Sequence, residues 1–274
     1  MNRTSLGAGR MSSQLIPILD RSRSRLRIPE NLLPEALEQV SGRRLASPVA
    51  VVRMESGGIM VDGNLDPLVT AMLKVIDSAS LVVSVHVMAH GDTSLTTIHA
   101  TPQRAVVTSS LDPDLIDVAP LRITRMPETL SDMILLRQPE SVGSRPIRVP
   151  ANDVARAEQL RNTPDMARAV LAGAGLDEEA IGVMLALQNP GTRQWRISST
   201  WAVGDEQADT AELRGVDAGP AGQWLLDGSV ERAENTLTLT PQGDGEVLRS
   251  LRRILPQFWV GTPLKRQATT GSRR

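Results

Sequence analysis

The sequence contains no cysteine, which removes disulfides, thiolate metal sites and cysteine nucleophiles from consideration. Tyrosine is absent too, Phe258 is the only phenylalanine, and histidine is confined to His86, His90 and His99. His and Tyr carry much of enzymatic acid–base chemistry, so the chain is poorly equipped for catalysis. No run of 18 apolar residues occurs, which argues against a helical membrane span. The catalytic and nucleotide-binding signatures are missing as well. There is no phosphate-binding Gly-x-x-x-x-Gly-Lys-[Ser/Thr], no Gly-x-Ser-x-Gly elbow and no His-Glu-x-x-His. Gly173-Ala-Gly175 falls between two predicted helices and lacks the strand a dinucleotide site requires. Glu178-Glu179 lies in the first turn of a helix, where the helix dipole accounts for it.

What is present is ordinary in amount and uneven in placement. The chain has 274 residues, 41 % of them apolar, enough for one large domain or two small ones at roughly 100–200 residues each. Residues 1–28 carry six Arg and only Asp20, and residues 247–274 carry seven basic residues and no acid. With a total of −1, ends of +5 and +7 leave −13 for residues 29–246. An acidic body with basic ends argues against a nucleic-acid-binding surface on the folded part. Residues 1–28, with Arg and Ser alternating over Arg21–Arg27, read as a flexible or misassigned start, with Met11 as another candidate start. Residues 260–274 read as a flexible basic tail.

The first ordered element is expected near Pro29, with a helix through Leu32, Leu33, Leu37 and Val40. Pro48–Met54 is ambiguous: its valines favour a strand, whereas Pro48 and the Gly57-Gly58 stop favour a helix. Asp66 caps a helix that Pro67 opens. The preceding Asp62-x-Asn64-x-Asp66 is not a calcium loop, because Pro67 and Leu73 stand where glycine and glutamate are required. Leu81–Ala89 alternates as a strand, with Leu81, Val83, Val85 and Val87 on an apolar face. A two-residue turn at Gly91-Asp92 would pair Val85 with Ile98 and His86 with Thr97. Short strands over Arg104–Ser109 and Val118–Thr124 and a helix over Pro127–Arg137 follow, then a loop over Gln138–Pro150. Residues 151–188 form a helical block. Strands resume with Trp195, Ile197 and Trp201 on one face, and a helix over Pro241–Leu255 closes the chain.

The order repeats. Gly91-Asp and Gly204-Asp lie 113 positions apart, Leu121-x-Ile-Thr124 and Leu237-x-Leu-Thr240 lie 116 apart, and the helix-ending Pro139 and Pro256 lie 117 apart. This predicts half-repeats over about 80–139 and 192–256 sharing one sheet about a quasi-two-fold axis.

Two constellations remain. His86, His90 and His99 project from one face of the predicted hairpin, so a His-based metal site competes with a half-exposed polar sheet face. That face, with His86, Met88, His90, Leu95, Thr97 and His99, is too mixed for a core and too apolar for plain solvent. It suits covering either by another protein or by the helices of residues 151–188. Trp195 and Trp201 pose the same choice between core and interface anchor.

Residues 45–125 and 188–259 resemble the EspG family, chaperones of actinobacterial type VII (ESX) secretion. The stretches that carry the resemblance are Pro48-Val-Ala, Gly63-Asn-Leu-Asp-Pro67, the strand–Gly–strand run Leu81–Val107, Asn189-Pro-Gly191, and Val247-Leu-Arg-Ser-Leu-Arg-Arg-Ile-Leu-Pro256. The chain departs from the family pattern in lacking the opening strand and Trp-containing helix. The resemblance implies an α+β fold: a central antiparallel β-sheet flanked by two α-helical bundles, in one domain over residues 29–259. It also implies a non-enzymatic cytoplasmic chaperone, without cofactor or metal, that covers the apolar PPE tip of a PE–PPE heterodimer. A secretion-system ATPase is a further candidate partner, and the free protein is expected as a monomer or homodimer. By position, the partner surface falls on Ser84, His86, Met88, Gly91, Asp92, Leu95 and Thr97, with Met166, Arg168 and Met184 from the helical block. An acidic body would disfavour acidic cargo tips. The competing functions are an adaptor for another helical secretion partner and a His-based metal enzyme.

Overall fold

The computed structural model describes residues 15–43, 46–112, 114–134, 145–189, 191–203, 207–218, 222–226, 236–256 and 264. The expected turn at Gly204, the helix end at Pro139 and nearly all of the basic tail lie outside the described residues.

The elements are β1 (Ile18–Asp20), β2 (Arg25–Pro29), α1 (Leu33–Val40), α2 (Pro48–Ser56), β3 (Met60–Val61), β4 (Asn64–Leu65) and α3 (Pro67–Asp77). Then come β5 (Leu81–Ala89), β6 (Asp92–Ala100), β7 (Ala105–Asp112), β8 (Leu115–Leu121), a 3-10 turn at Ile123–Arg125 and α4 (Met126–Ile134). The rest is β9 (Ile147–Pro150), α5 (Ala151–Gln159), α6 (Pro164–Gly173), α7 (Glu178–Leu187), β10 (Arg193–Ala202), β11 (Ala208–Asp217), β12 (Gln223–Leu226), β13 (Thr236–Gln242) and α8 (Asp244–Ile254). Eleven strands form one sheet in the order β1-β2-β8-β7-β6-β5-β10-β11-β12-β13-β9, with every pairing antiparallel. Two four-strand meanders, β5–β8 followed by α4 and β10–β13 followed by α8, meet at the β5–β10 seam.

Directly paired residues share a face of a sheet, so the register assigns the layers. Leu81, Val83, Val85, Trp195 and Ile197 face α4 and α8 in one core. Buried Ser199 donates its hydroxyl to the Ile254 carbonyl and Arg193 donates to the Met133 carbonyl, tying both helices to β10. The opposite face carries two bundles. At one end α1, α2 and α3 bury Leu26, Ile28, Val106 and Val118; at the other α5, α6 and α7 bury Ile147, Val149, Trp224 and Leu239. This is the expected antiparallel sheet with two helical bundles.

Local chemistry explains the helices. Ser47 accepts a hydrogen bond from the Ala50 amide and Pro48 occupies the first turn, which settles the ambiguous segment as α2. The strand preference of its valines is overridden, with Val49 and Val52 pointing to solvent. Asp66 caps α3 as expected, accepting from the Leu68 amide, and Asp177 caps α7 in the same way, accepting from the Ala180 amide.

Three expectations need correction. The chain is ordered well before Pro29, where β1 and β2 form a hairpin at the edge of the sheet. Leu26 and Ile28 are fully buried while Arg25 and Arg27 point outward, and the Arg25 Nε lies 2.6 Å from both carboxylate oxygens of buried Asp117 on β8. The arginines that suggested a flexible basic segment include the counter-charge of a buried carboxylate. Second, Ile147–Pro150, expected as loop, is the far edge strand, with Ile147 and Val149 inward. A final proline is tolerated there because an edge needs no donor on its free side. Third, Leu121-x-Ile-Thr124 ends a strand and enters a 3-10 turn, whereas Leu237–Thr240 lies inside β13, so the two motifs do not occupy equivalent places.

Candidate partner-binding surface

Between the two bundles, the middle of the sheet is open. The β5–β6 hairpin turns at His90-Gly91, both with positive φ (54° and 84°), rather than at Gly91-Asp92. Such a turn matches the twist of the flanking strands. It pairs Val83 with Ile98 and His86 with Leu95, so the expected Val85–Ile98 and His86–Thr97 pairs do not form. Moving a two-residue turn by one position moves both flanks, so every side chain stays on its expected face.

The exposed face is built in rows across the strands. One row runs Leu95, His86, Arg196, Arg214 and Leu226 from β6 to β12. The next runs Thr93, Met88, Gln194, Val216 and Trp224, with Trp224 buried under α5–α7. On the other side lie Thr97, Ser84, Ser198 and Glu212. Met88 is 49 % exposed and Leu95 43 %, so the helices of residues 151–188 do not cover this face. Gly91 and Asp92 are exposed at the hairpin tip, and Ser84 and Thr97 are half-buried.

A cleft of about 560 Å³ runs between this face and the C-terminal bundle, lined among others by His86, Met88, Gln194, Arg196, Arg214 and, from the bundle, Leu187. Val154 and Glu158 of α5, Met184 of α7 and Gln188 just after it complete the bundle side of the wall. The expected helical contributors divide accordingly. Met184 touches the cleft but is 2 % exposed and belongs to the bundle core. Met166 and Arg168 sit on α6 and do not line the cleft; Met166 is exposed and Arg168 pairs with Glu178.

Arg196, Arg214, Gln194 and Gln188 were not singled out by the sequence. The alternation that puts Trp195 and Ile197 inward necessarily points Gln194 and Arg196 outward, and that was the available signal. Glu212 accepts from Arg196 (Nε to Oε2, 2.8 Å) and from the Arg214 Nε. Partial burial pushes the Glu212 carboxyl up, but Arg214 and Arg196 outweigh it and hold it below the usual carboxylate range.

The histidines do not converge. His86 lies beside Leu95 and Arg196, His99 pairs with Val82 and approaches the Thr108 hydroxyl at 3.4 Å, and His90 forms the turn. His86 and His99 are therefore separated by about four residues of strand, roughly 13 Å. Among the described residues no group of three or more His, Asp or Glu side chains could hold a metal ion. Among them, too, no helix is long and apolar enough to cross a membrane.

No family model matches the chain, and no curated protein matches its sequence. In three dimensions the chain is similar to the solved structure of the Mycobacterium tuberculosis type VII secretion system chaperone EspG5 in complex with the PE25–PPE41 dimer. The TM-score is 0.62 at 15 % identity, over 88 % of this chain and 100 % of that one. At this identity the likeness is one of architecture: this chain has the fold of EspG5.

Proposed function

We propose that the protein is a non-enzymatic cytoplasmic chaperone of a type VII secretion system that binds a PE–PPE dimer. The observation that carries this reading is the open middle of the sheet, walled by the C-terminal bundle, in a chain with the fold of a chaperone solved bound to such a dimer. The surface combines exposed apolar side chains, Met88 and Leu95, with polar groups held by a rigid sheet. That is the composition of a non-obligate protein interface. Binding of this kind needs no reacting group. Apolar burial at about 25 cal/mol per Å² over a few hundred Å² offers several kcal/mol before the costs of association.

Co-expression with the PE–PPE pairs of the same genome, followed by affinity capture and size-exclusion chromatography, tests the reading. A stable 1:1:1 complex with one pair and rejection of others is expected. A folded protein that captures no pair overturns it.

A further inference from the structure

The row across the sheet carries more positive charge than it needs. Arg196 and Arg214 stand directly opposite each other on β10 and β11, an arrangement that is unfavourable for like charges. Both lean on the single carboxylate of Glu212, which uses the Nε and Nη2 of Arg196 and the Nε of Arg214. Their other N–H donors make no hydrogen bond among the described residues, and the side chains are 53 % and 49 % exposed. His86 adds a third basic side chain beside Arg196. Glu158 borders the cleft from α5 and makes no ion pair with either guanidinium among the described residues.

In the free protein water solvates this excess. Once a partner covers the row, two guanidiniums and one carboxylate lose that water, and an unmatched buried charge is strongly disfavoured. The Gln188 amide adds a second unmet demand: its Oε1 and Nε2, on the cleft wall, are buried without a partner. From His86 to Arg214 the row spans two interstrand spacings, about 10 Å, the width of one α-helix.

Resting on the chaperone reading above, we propose that the cleft selects a partner helix whose apolar tip carries a carboxylate, seated between Arg196 and Arg214. The selectivity is local and opposite in sign to the acidic body. Glu158, on the bundle wall of the same cleft, makes no ion pair with either guanidinium among the described residues, so their remaining donors stay available to a docked tip, and charges farther off than a Debye length of about 8 Å are screened. Helices tipped with Lys or Arg are rejected by the same two guanidiniums.

The test uses the full chain and a displayed library of helical hairpins with randomised tips, keeping binders lost in the cleft-blocking variant Leu187→Arg. These binders are expected to be enriched in Asp or Glu at the tip. They should weaken by about 30-fold or more against Arg196→Glu/Arg214→Glu, and recover when the tip acid is changed to Arg. Absence of cleft-dependent binders, or binders indifferent to the charge reversal, overturns the proposal. The two readings fail separately. A PE–PPE pair captured equally well by the charge-reversed variant leaves the chaperone function standing and removes the charge selectivity. Acidic hairpins selected by a chain that captures no PE–PPE pair do the reverse.

Discussion

The indole of Trp195 on β10 packs over Gly215, its direct partner on β11, and fills the space a side chain would occupy. A β-carbon on Gly215 would stand 2.7 Å from Cη2 of the ring and closer still to Cζ2 and Cε2. The glycine is thus a packing requirement of the core beneath the open face, with Trp195 4 % exposed.

Gly215→Ala is expected to destabilise the protein by about 1–3 kcal/mol through overpacking, measured by urea denaturation. Trp195→Phe combined with it should show coupling of about 1 kcal/mol, because the smaller ring vacates the contested space. Additive effects would contradict the contact. The added β-carbon is aimed at the indole in the core, so partner capture should persist.

Replacing Met88 and Leu95 together by Asp should abolish partner capture while leaving stability within about 0.5 kcal/mol, since both are exposed in the free chain. Met166→Asp on α6, outside the cleft, should leave capture intact. Pull-down of the PE–PPE pair by each variant reads the difference.

Asp66 links the N-terminal segment to α3, accepting from the Leu68 amide and pairing with Arg21 at 2.7 Å. The hydrogen bond from Arg21 holds its carboxyl below the usual range. Its stabilisation is therefore complete above the unfolded carboxylate value of about 4 and is lost as pH falls through the lowered native value. Asp66→Ala should cost about 1 kcal/mol at neutral pH and flatten the acid limb of the stability profile. A parallel profile would show that the cap carries no pH-dependent stability.

Arg25→Met removes the hydrogen-bonded counter-charge of Asp117, which is 3 % exposed, and leaves it only Arg27 at 3.7 Å. The loss should be about 1.5–3 kcal/mol, with faster hydrogen exchange across β1 and β2 than in the central strands. Uniform acceleration over the whole sheet would mean that these strands do not open as a separate unit.

Where local chemistry decides, the sequence was legible. Asp66-Pro67 and Asp177 mark helix starts because the capping side chain, the proline and the helix lie within a few residues. The alternation over Leu81–Ala89 assigned both faces of β5 even though the turn was misplaced, because a two-residue turn displaced by one position preserves every face. Ile147–Pro150 and Arg25–Pro29 were illegible as strands. A short edge strand forms only because a neighbour offers free backbone groups, and β13 and β8 lie 86 or more residues away in the register.

The sequence by itself determined the capped helix starts, the inward face of the central strands and the poverty of catalytic groups, all properties of residues close together along the chain. Only the tertiary structure decided that the helices of residues 151–188 pack on Trp224 and Leu239, leaving His86, Met88 and Leu95 uncovered. It alone put Arg196 opposite Arg214 and beside His86. Those neighbours come from three strands, the β5–β10 pairing joining residues more than a hundred positions apart, and no periodicity within one strand records which strand will lie beside it.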